Sequence, residues 1–194
     1  EEISIWEGNK LSIEEAKTIS GIENVMWNSN FETILNLIIA ESESIYLEKN
    51  EHIRSNTNVQ TPQDRFIKKI KKKYSTYPIK RSYPLLSNLR MIKDNIEVDL
   101  IQKACDITEN GFRRVLNFVK EGVWEYEIEA EFIHEFLRHR SKKFAYTPII
   151  ASGNNANILH YIENNKQCKN GELILMDVGA EYANYSSDMT RTIP

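Results

Sequence analysis

Residues 144–192 read FAYTPIIASGNNANILHYIENNKQCKNGELILMDVGAEYANYSSDMTRT, and this stretch decides the reading of the chain. Asp177 closes the apolar run ELILMDVG, Asp188 follows eleven residues later, and His160 precedes Asp177 by seventeen. A carboxylate at the end of a buried strand needs a cation or strong hydrogen bonds, because an unpaired buried charge is costly. By strand alternation Leu173, Leu175 and Asp177 share one face, and Asp188, Thr190 and Thr192 share a face of the next strand. The connection VGAEYANY is compact, so a hairpin-like pair would turn both carboxylates the same way. Carboxylate oxygens suit hard divalent ions such as Mn²⁺, and two of them side by side without a cation repel. The alternative is an aspartate paired with Arg191 or capping a turn. His160 follows a glycine and asparagine turn and is read either as a core histidine or as a group working beside the aspartates.

Outward from that stretch, the preceding sequence is helical. Ile96, Leu100, Ile101, Ala104, Ile107, Phe112, Val115, Leu116 and Val119 recur at three- and four-residue steps, one apolar face over about seven turns. Gly122 is a stop signal. A second helix is predicted from Tyr126 to His139, with Ile128, Phe132, Ile133, Phe136 and Leu137 as its apolar side. Within it, His134-Glu135 and His139 miss the HExxH zinc spacing by one residue, which turns the two imidazoles apart. Two helices followed by the β-rich runs TPIIAS, ELILMDVG and YSSDMTRT predict an α+β domain with an antiparallel sheet.

The first part reads as short helices alternating with strands, an α/β layer. Capping boxes are expected at Ser12–Glu15 and Ser29–Glu32, strands at IENVMW and SIYLEKN, and a helix start at Thr61-Pro62. That last helix carries Lys68, Lys69, Lys71, Lys72 and Lys73, read as a solvated face because no stacking aromatics interleave them. Tyr74 to Pro84 reads as a linker, which puts a domain boundary between residues 83 and 84. His52 falls in a polar loop.

Composition narrows the class. The 194 residues are 41% hydrophobic and 27% charged with net charge −3, as in a soluble globular protein without a general pull toward nucleic acid or membrane. No run approaches the ~20 apolar residues of a membrane span. Cys105 and Cys168 form no disulfide framework, so two free thiols and a cytoplasmic location are expected. Cys168, in NNKQCKNG, reads as a loop thiol without a base beside it. The N-x-S match at Asn184 reads as chance.

The segments ASGNNANILHY, GELILMDVGAEY and YSSDMTRTIP, with the helices LRMIKDNIEVDLIQKACDIT and EYEIEAEF before them, resemble the metal-dependent proline peptidases of the pita-bread fold, in particular the aminopeptidase P (Xaa-Pro aminopeptidase) group. The resemblance implies that residues 84–194 are the first half of a pita-bread catalytic domain and residues 1–83 the end of an α/β N-terminal domain plus linker. It implies two divalent ions, most often Mn²⁺, with Asp177 as a bidentate ligand, Asp188 bridging, and His160 beside the scissile carbonyl. Tyr146 would line the substrate cleft, and strand alternation makes Thr190 a candidate to orient Asp188. The implied reaction releases the N-terminal residue of peptides with proline second, through a metal-bridging hydroxide. One histidine and two glutamates of that ligand set would lie beyond Pro194, so these residues alone are expected to bind metal weakly and to hydrolyse nothing. Homo-oligomers are common in such a family. A prolidase (Xaa-Pro dipeptidase), or a non-catalytic pita-bread module binding peptides or proteins, are the alternatives.

Overall fold

The computed structural model describes residues 2–49, 51 and 59–194, with side chains described from Ile5 onward. The chain divides into two compact units, Glu1–Met91 and Ile92–Pro194. The expected place of His52 lies outside the described residues.

The first unit holds helices α1 (Glu2–Glu7), α2 (Ile13–Ser20), α3 (Phe31–Ala40), α4 (Pro62–Lys73) and α5 (Tyr83–Met91), with strands β1 (Ile45–Leu47) and β2 (Ile79–Arg81). Ser12 and Glu15 form the expected capping box, the Ser12 N–H donating to Glu15 Oε2 at 2.8 Å, and Gly21 ends α2 at φ 68°. Thr61 caps α4 in the same way, with Asp64 reaching back. The box expected at Ser29 does not form. Ser29 sits in a 3₁₀ turn, and α3 starts at Phe31 without a side-chain cap. Residues 22–27 are not a strand either, because no described strand pairs with them. Residues 74–84 are more than a linker. Ile45↔Ile79 begins a parallel β1–β2 ladder, the Ile45 N–H donates to the Pro78 carbonyl at 2.9 Å, and Pro84 sits in the first turn of α5. Both prolines thus lie at edges, where a missing N–H is harmless. Lys69 and Lys73 on α4 pair with Glu32 on α3.

The second unit positions the candidate site. Helix α6 (Asn95–Phe118) and helix α7 (Glu125–Arg138) precede β3 (Ile149–Ser152), a 3₁₀ turn (Gly153–Asn157), β4 (Ile174–Val178), β5 (Glu181–Tyr182), β6 (Tyr185–Ser186) and β7 (Met189–Ile193). Strands β3, β4 and β7 form an antiparallel sheet with β4 central. Ile174, Met176 and Val178 are buried and pack with Ile107, Phe112, Val115, Ile128, Phe132 and Phe136 of the two helices. The face of α6 is narrower than its periodicity predicts. Ile96 and Leu116 are 70% and 56% exposed, while Thr108 and Gly111 are buried. On α7, Ile133 and Leu137 are likewise exposed.

Two features correct the reading from sequence. Cys168 is 3% exposed in the apolar core, and its N–H donates to the Val123 carbonyl at 2.8 Å, so it is a packing residue rather than a loop thiol. Burial pushes its pKa up, which lowers its reactivity further. Glu125, the first residue of α7, is fully buried and gathers several donors, among them the Ser152 N–H at 2.6 Å and the Tyr161 hydroxyl at 2.7 Å.

Gly111 on α6 lies directly against two rings of α7. A Cβ there would stand 2.8 Å from Phe132 Cδ1 and 3.0 Å from Phe136 Cε1, both rings fixed in the core. Helix propensity favours alanine over glycine by about 1 kcal/mol, whereas forcing a methyl into a packed core costs about 1–3 kcal/mol. We expect Gly111→Ala to lower the urea midpoint of the second unit, with overpacking outweighing propensity. A raised midpoint would refute the tight helix contact.

Candidate metal centre

The site begins with the alternation of β4. Because Ile174, Met176 and Val178 face the helices, Leu175 and Asp177 face away from them. Register sets Asp177 opposite Ile149 on β3 and Thr190 on β7. Cross-strand partners share a face, so Thr190 and Asp188, two residues before it, lie on the side of Asp177. The chain between β4 and β7 makes a short excursion through β5 and β6, whose tip holds Ala183 and Asn184 at φ 49° and 69°. Gly179 permits the return. A Cβ there would sit 2.0 Å from the Ser187 carbonyl oxygen, which no side chain could tolerate. Thr108 of α6 then fastens the crossing: its hydroxyl lies 2.7 Å from Ser187 Oγ, and the Ala180 N–H donates to it at 2.9 Å.

Tyr146 joins the two carboxylates. The segment before it runs beside the exit of β4, with the Ala145 N–H donating to the Gly179 carbonyl at 2.8 Å. The phenol oxygen lies 2.5 Å from Asp177 Oδ1 and 3.0 Å from Asp188 Oδ1. One phenol has one proton, so it can serve one carboxylate at a time. Burial foremost, then the bonds to Asp177 and Asp188, drives the Tyr146 pKa far above the ordinary tyrosine value. Among the described residues no lysine, arginine or histidine forms an ion pair with either aspartate, and Arg191 instead donates to the Thr190 carbonyl at 2.7 Å. The salt-bridge alternative for these aspartates is thereby removed.

The remaining site residues are brought together in part. His160 is exposed in the turn after the 3₁₀ segment and lines an open cleft of about 400 Å³ with Tyr146, Thr147, Ile149, Ile162, Asp177 and Asp188. It is therefore not a core histidine. Thr190 shares the face but makes no hydrogen bond with Asp188 among the described residues. Thr147, Ile149 and Ile162 were missed from sequence. Ile149 could have been found from register, since it stands opposite Asp177. His139 is held by Glu135 at 3.1 Å, and His134 and His139 gather no metal-ligand group.

The carboxylate pair fits part of a hard-cation site. Its donors are oxygens, its charge is uncompensated by side chains, and one proton cannot satisfy both oxygens facing the phenol. Among the described residues no cluster of three or more His, Cys, Asp or Glu forms, so further donors must complete any such site.

The Tyr146 phenol links this geometry to alkaline stability. A folded-state pKa raised above the unfolded value of about 10 means that the native state holds this proton more tightly. That contribution is fully present below pH ~10 and is lost as pH rises above it. We expect the unfolding free energy to fall above pH ~10, and Tyr146→Phe to flatten the fall, read by urea denaturation from pH 8 to 11. An unchanged slope in the variant would contradict the buried phenol.

Comparison with known proteins agrees with this architecture. Residues 99–194 match metallopeptidase family M24, and residues 1–46 match the N-terminal domain of aminopeptidase P. The Xaa-Pro aminopeptidase of Haemophilus influenzae is 33% identical over 192 residues, covering 99% of this chain and 42% of that protein. A Bacillus anthracis protein assigned to aminopeptidase P superposes with a TM-score of 0.87 at 33% identity, over 99% of this chain and 46% of that one. Zinc-substituted aminopeptidase P of Escherichia coli, solved in complex with product, gives 0.83 at 28% identity, over 100% and 44%. The chain thus spans less than half the length of these relatives. Its second unit carries part of a pita-bread fold, residues 99–194 belong to metallopeptidase family M24, and the two matches follow the domain order of the aminopeptidases P.

Proposed function

We propose that this chain supplies the first ligands and one cleft wall of a dinuclear metallopeptidase that removes the N-terminal residue from peptides with proline in second position. The observation that carries the reading is the convergence of Asp177 and Asp188 on one phenol oxygen, without a compensating cation, beside His160 in one cleft. In this reading Asp177 and Asp188 would hold two divalent ions, taken as Mn²⁺. When bound, such ions lower the pKa of water and polarise the scissile carbonyl.

The chain's own residues then have separable tasks. Asp177, fixed at the end of β4, holds its carboxylate toward the cleft. Asp188, on the same face and exposed, adds a second set of oxygens. Tyr146 keeps its proton at working pH and so donates to a carboxylate oxygen rather than competing as an anion. His160, which lines the same cleft, would hydrogen-bond an oxygen that gains negative charge at the carbonyl. Thr190, opposite Asp177, is the polar neighbour available to orient the carboxylates. Residues 1–83 are then the end of the N-terminal domain with its linker, and residues 84–194 the opening half of the catalytic domain. A cytoplasmic, homo-oligomeric protein belongs to the same reading.

Two measurements test it. For residues 1–194, calorimetric titration should give Mn²⁺ binding weaker than micromolar, with Asp177→Asn and Asp188→Asn each weakening it about tenfold or more, by removal of a direct ligand. Tight, stoichiometric, sub-micromolar binding would overturn the view that these two carboxylates are an incomplete set. For the protein as its source makes it, Xaa-Pro-Xaa peptides should be cut after the first residue in preference to Xaa-Pro dipeptides. A preference for dipeptides would make it a prolidase, and no cleavage with Mn²⁺ bound would remove the enzyme reading.

A further inference from the structure

The turn that carries His160 gets little support from its own surface. Ile158 and Leu159 are 54% and 90% exposed, and His160 is exposed too. The next residue reverses this pattern. Tyr161 is 5% exposed, and its hydroxyl donates to Glu125 Oε2 at 2.7 Å. The Lys166 N–H donates to the same oxygen at 2.9 Å. The other oxygen of Glu125 accepts from the Ser152 N–H at 2.6 Å and the Ser152 hydroxyl at 2.8 Å, with Asn155 Nδ2 at 3.4 Å. Ser152 ends β3 just before the loop, and Tyr161 resumes burial just after His160. One buried carboxylate therefore grips both ends of residues 153–160.

We infer that Glu125, acting through Tyr161 and Ser152, is a positioning residue that sets where His160 stands in the cleft. Between the two grips the loop has few other fixed points, such as the Gly153 N–H to Leu173 carbonyl bond at 2.8 Å and the Ile158 N–H to Asn155 carbonyl bond at 2.9 Å. Freeing Tyr161 would leave the imidazole on a tether whose flanking residues are solvated. A wholly buried carboxylate is costly to leave partly unmatched, so each of its five donors helps to hold the loop ends. The inference rests on the proposed function only for the use made of His160. The positional coupling stands without it.

The experiment uses the ¹⁵N-labelled chain of residues 1–194 and its backbone order parameters. Tyr161→Phe keeps the ring and removes the hydroxyl. The His160 amide should drop from a rigid value of about 0.85 to below about 0.6, whereas His134 on α7 and His139 at its C-terminal cap keep theirs. Those two report on the helix that bears Glu125, and a merely structural role would loosen them as well. Glu125→Gln, which retains the shape but loses one acceptor oxygen, should reproduce the loss at His160 and serves if the first variant does not fold. Unchanged order at His160 in the folded variant, or equal loss at all three histidines, overturns the inference. Mn²⁺ binding should stay within twofold of wild type in Tyr161→Phe. Failure of the protein as its source makes it to cut Xaa-Pro peptides with Mn²⁺ bound would sink the metallopeptidase reading while leaving this coupling intact.

Discussion

The antiparallel register between β4 and β7 is the constraint from which the rest of the second unit follows. Strand side chains alternate, so burying Ile174, Met176 and Val178 against α6 and α7 compels Asp177 to the opposite face. A slip of one residue would exchange the two sets, drawing a carboxylate into the core and expelling methionine and valine. Pairing Asp177 with Thr190 then fixes where Asp188 falls. The close pass of Gly179 by Ser187, with Thr108 bonded across it, locks that register from outside the ladder. Carboxylate convergence thus follows from core packing together with the tight return at Gly179.

Polar energy is distributed unevenly over the chain. Ion pairs such as Lys73–Glu32 are solvent-exposed on both partners and contribute little. By contrast, Glu125 and the Thr108–Ser187–Ala180 group are buried and matched by several partners. Removing one partner from such a group strands the others in a low-dielectric interior, so these few residues define the geometry more firmly than the many surface charges. The cleft is the exception. There the two aspartates face each other across one phenol and solvent, and their mutual repulsion is left for something else to relieve.

Much of this was legible in the sequence, for identifiable reasons. Asp177 stands out because a charge at the end of an apolar run breaks the pattern, and Asp188 because strand alternation eleven residues later can turn it to the same side. The helices α6 and α7 are long enough for period 3.6 to declare itself, although period alone could not tell that Ile96 and Leu116 lie beyond the reach of the sheet. The three-residue parallel pair β1–β2 was hidden, since prolines at 78 and 84 read as loop when they sit at the margins of regular elements. Conversely, IENVMW has strand composition but no partner. Cys168 looked solvated among lysines and asparagines, yet it turns inward beside Val123. Glu125 was invisible because an acid in the first turn of a helix needs no explanation, and its partners lie 27 to 41 residues away.

The Thr108–Ser187 hydrogen bond spans 79 residues of sequence. Closing so long a stretch costs about 2 kcal/mol more chain entropy than closing the short connection between α6 and α7. Local pairing of the helices is therefore entropically cheap, whereas the crossing that fixes Asp188 is dear. The carboxylate pair depends on that long-range crossing, so it is among the last features of the unit to assemble.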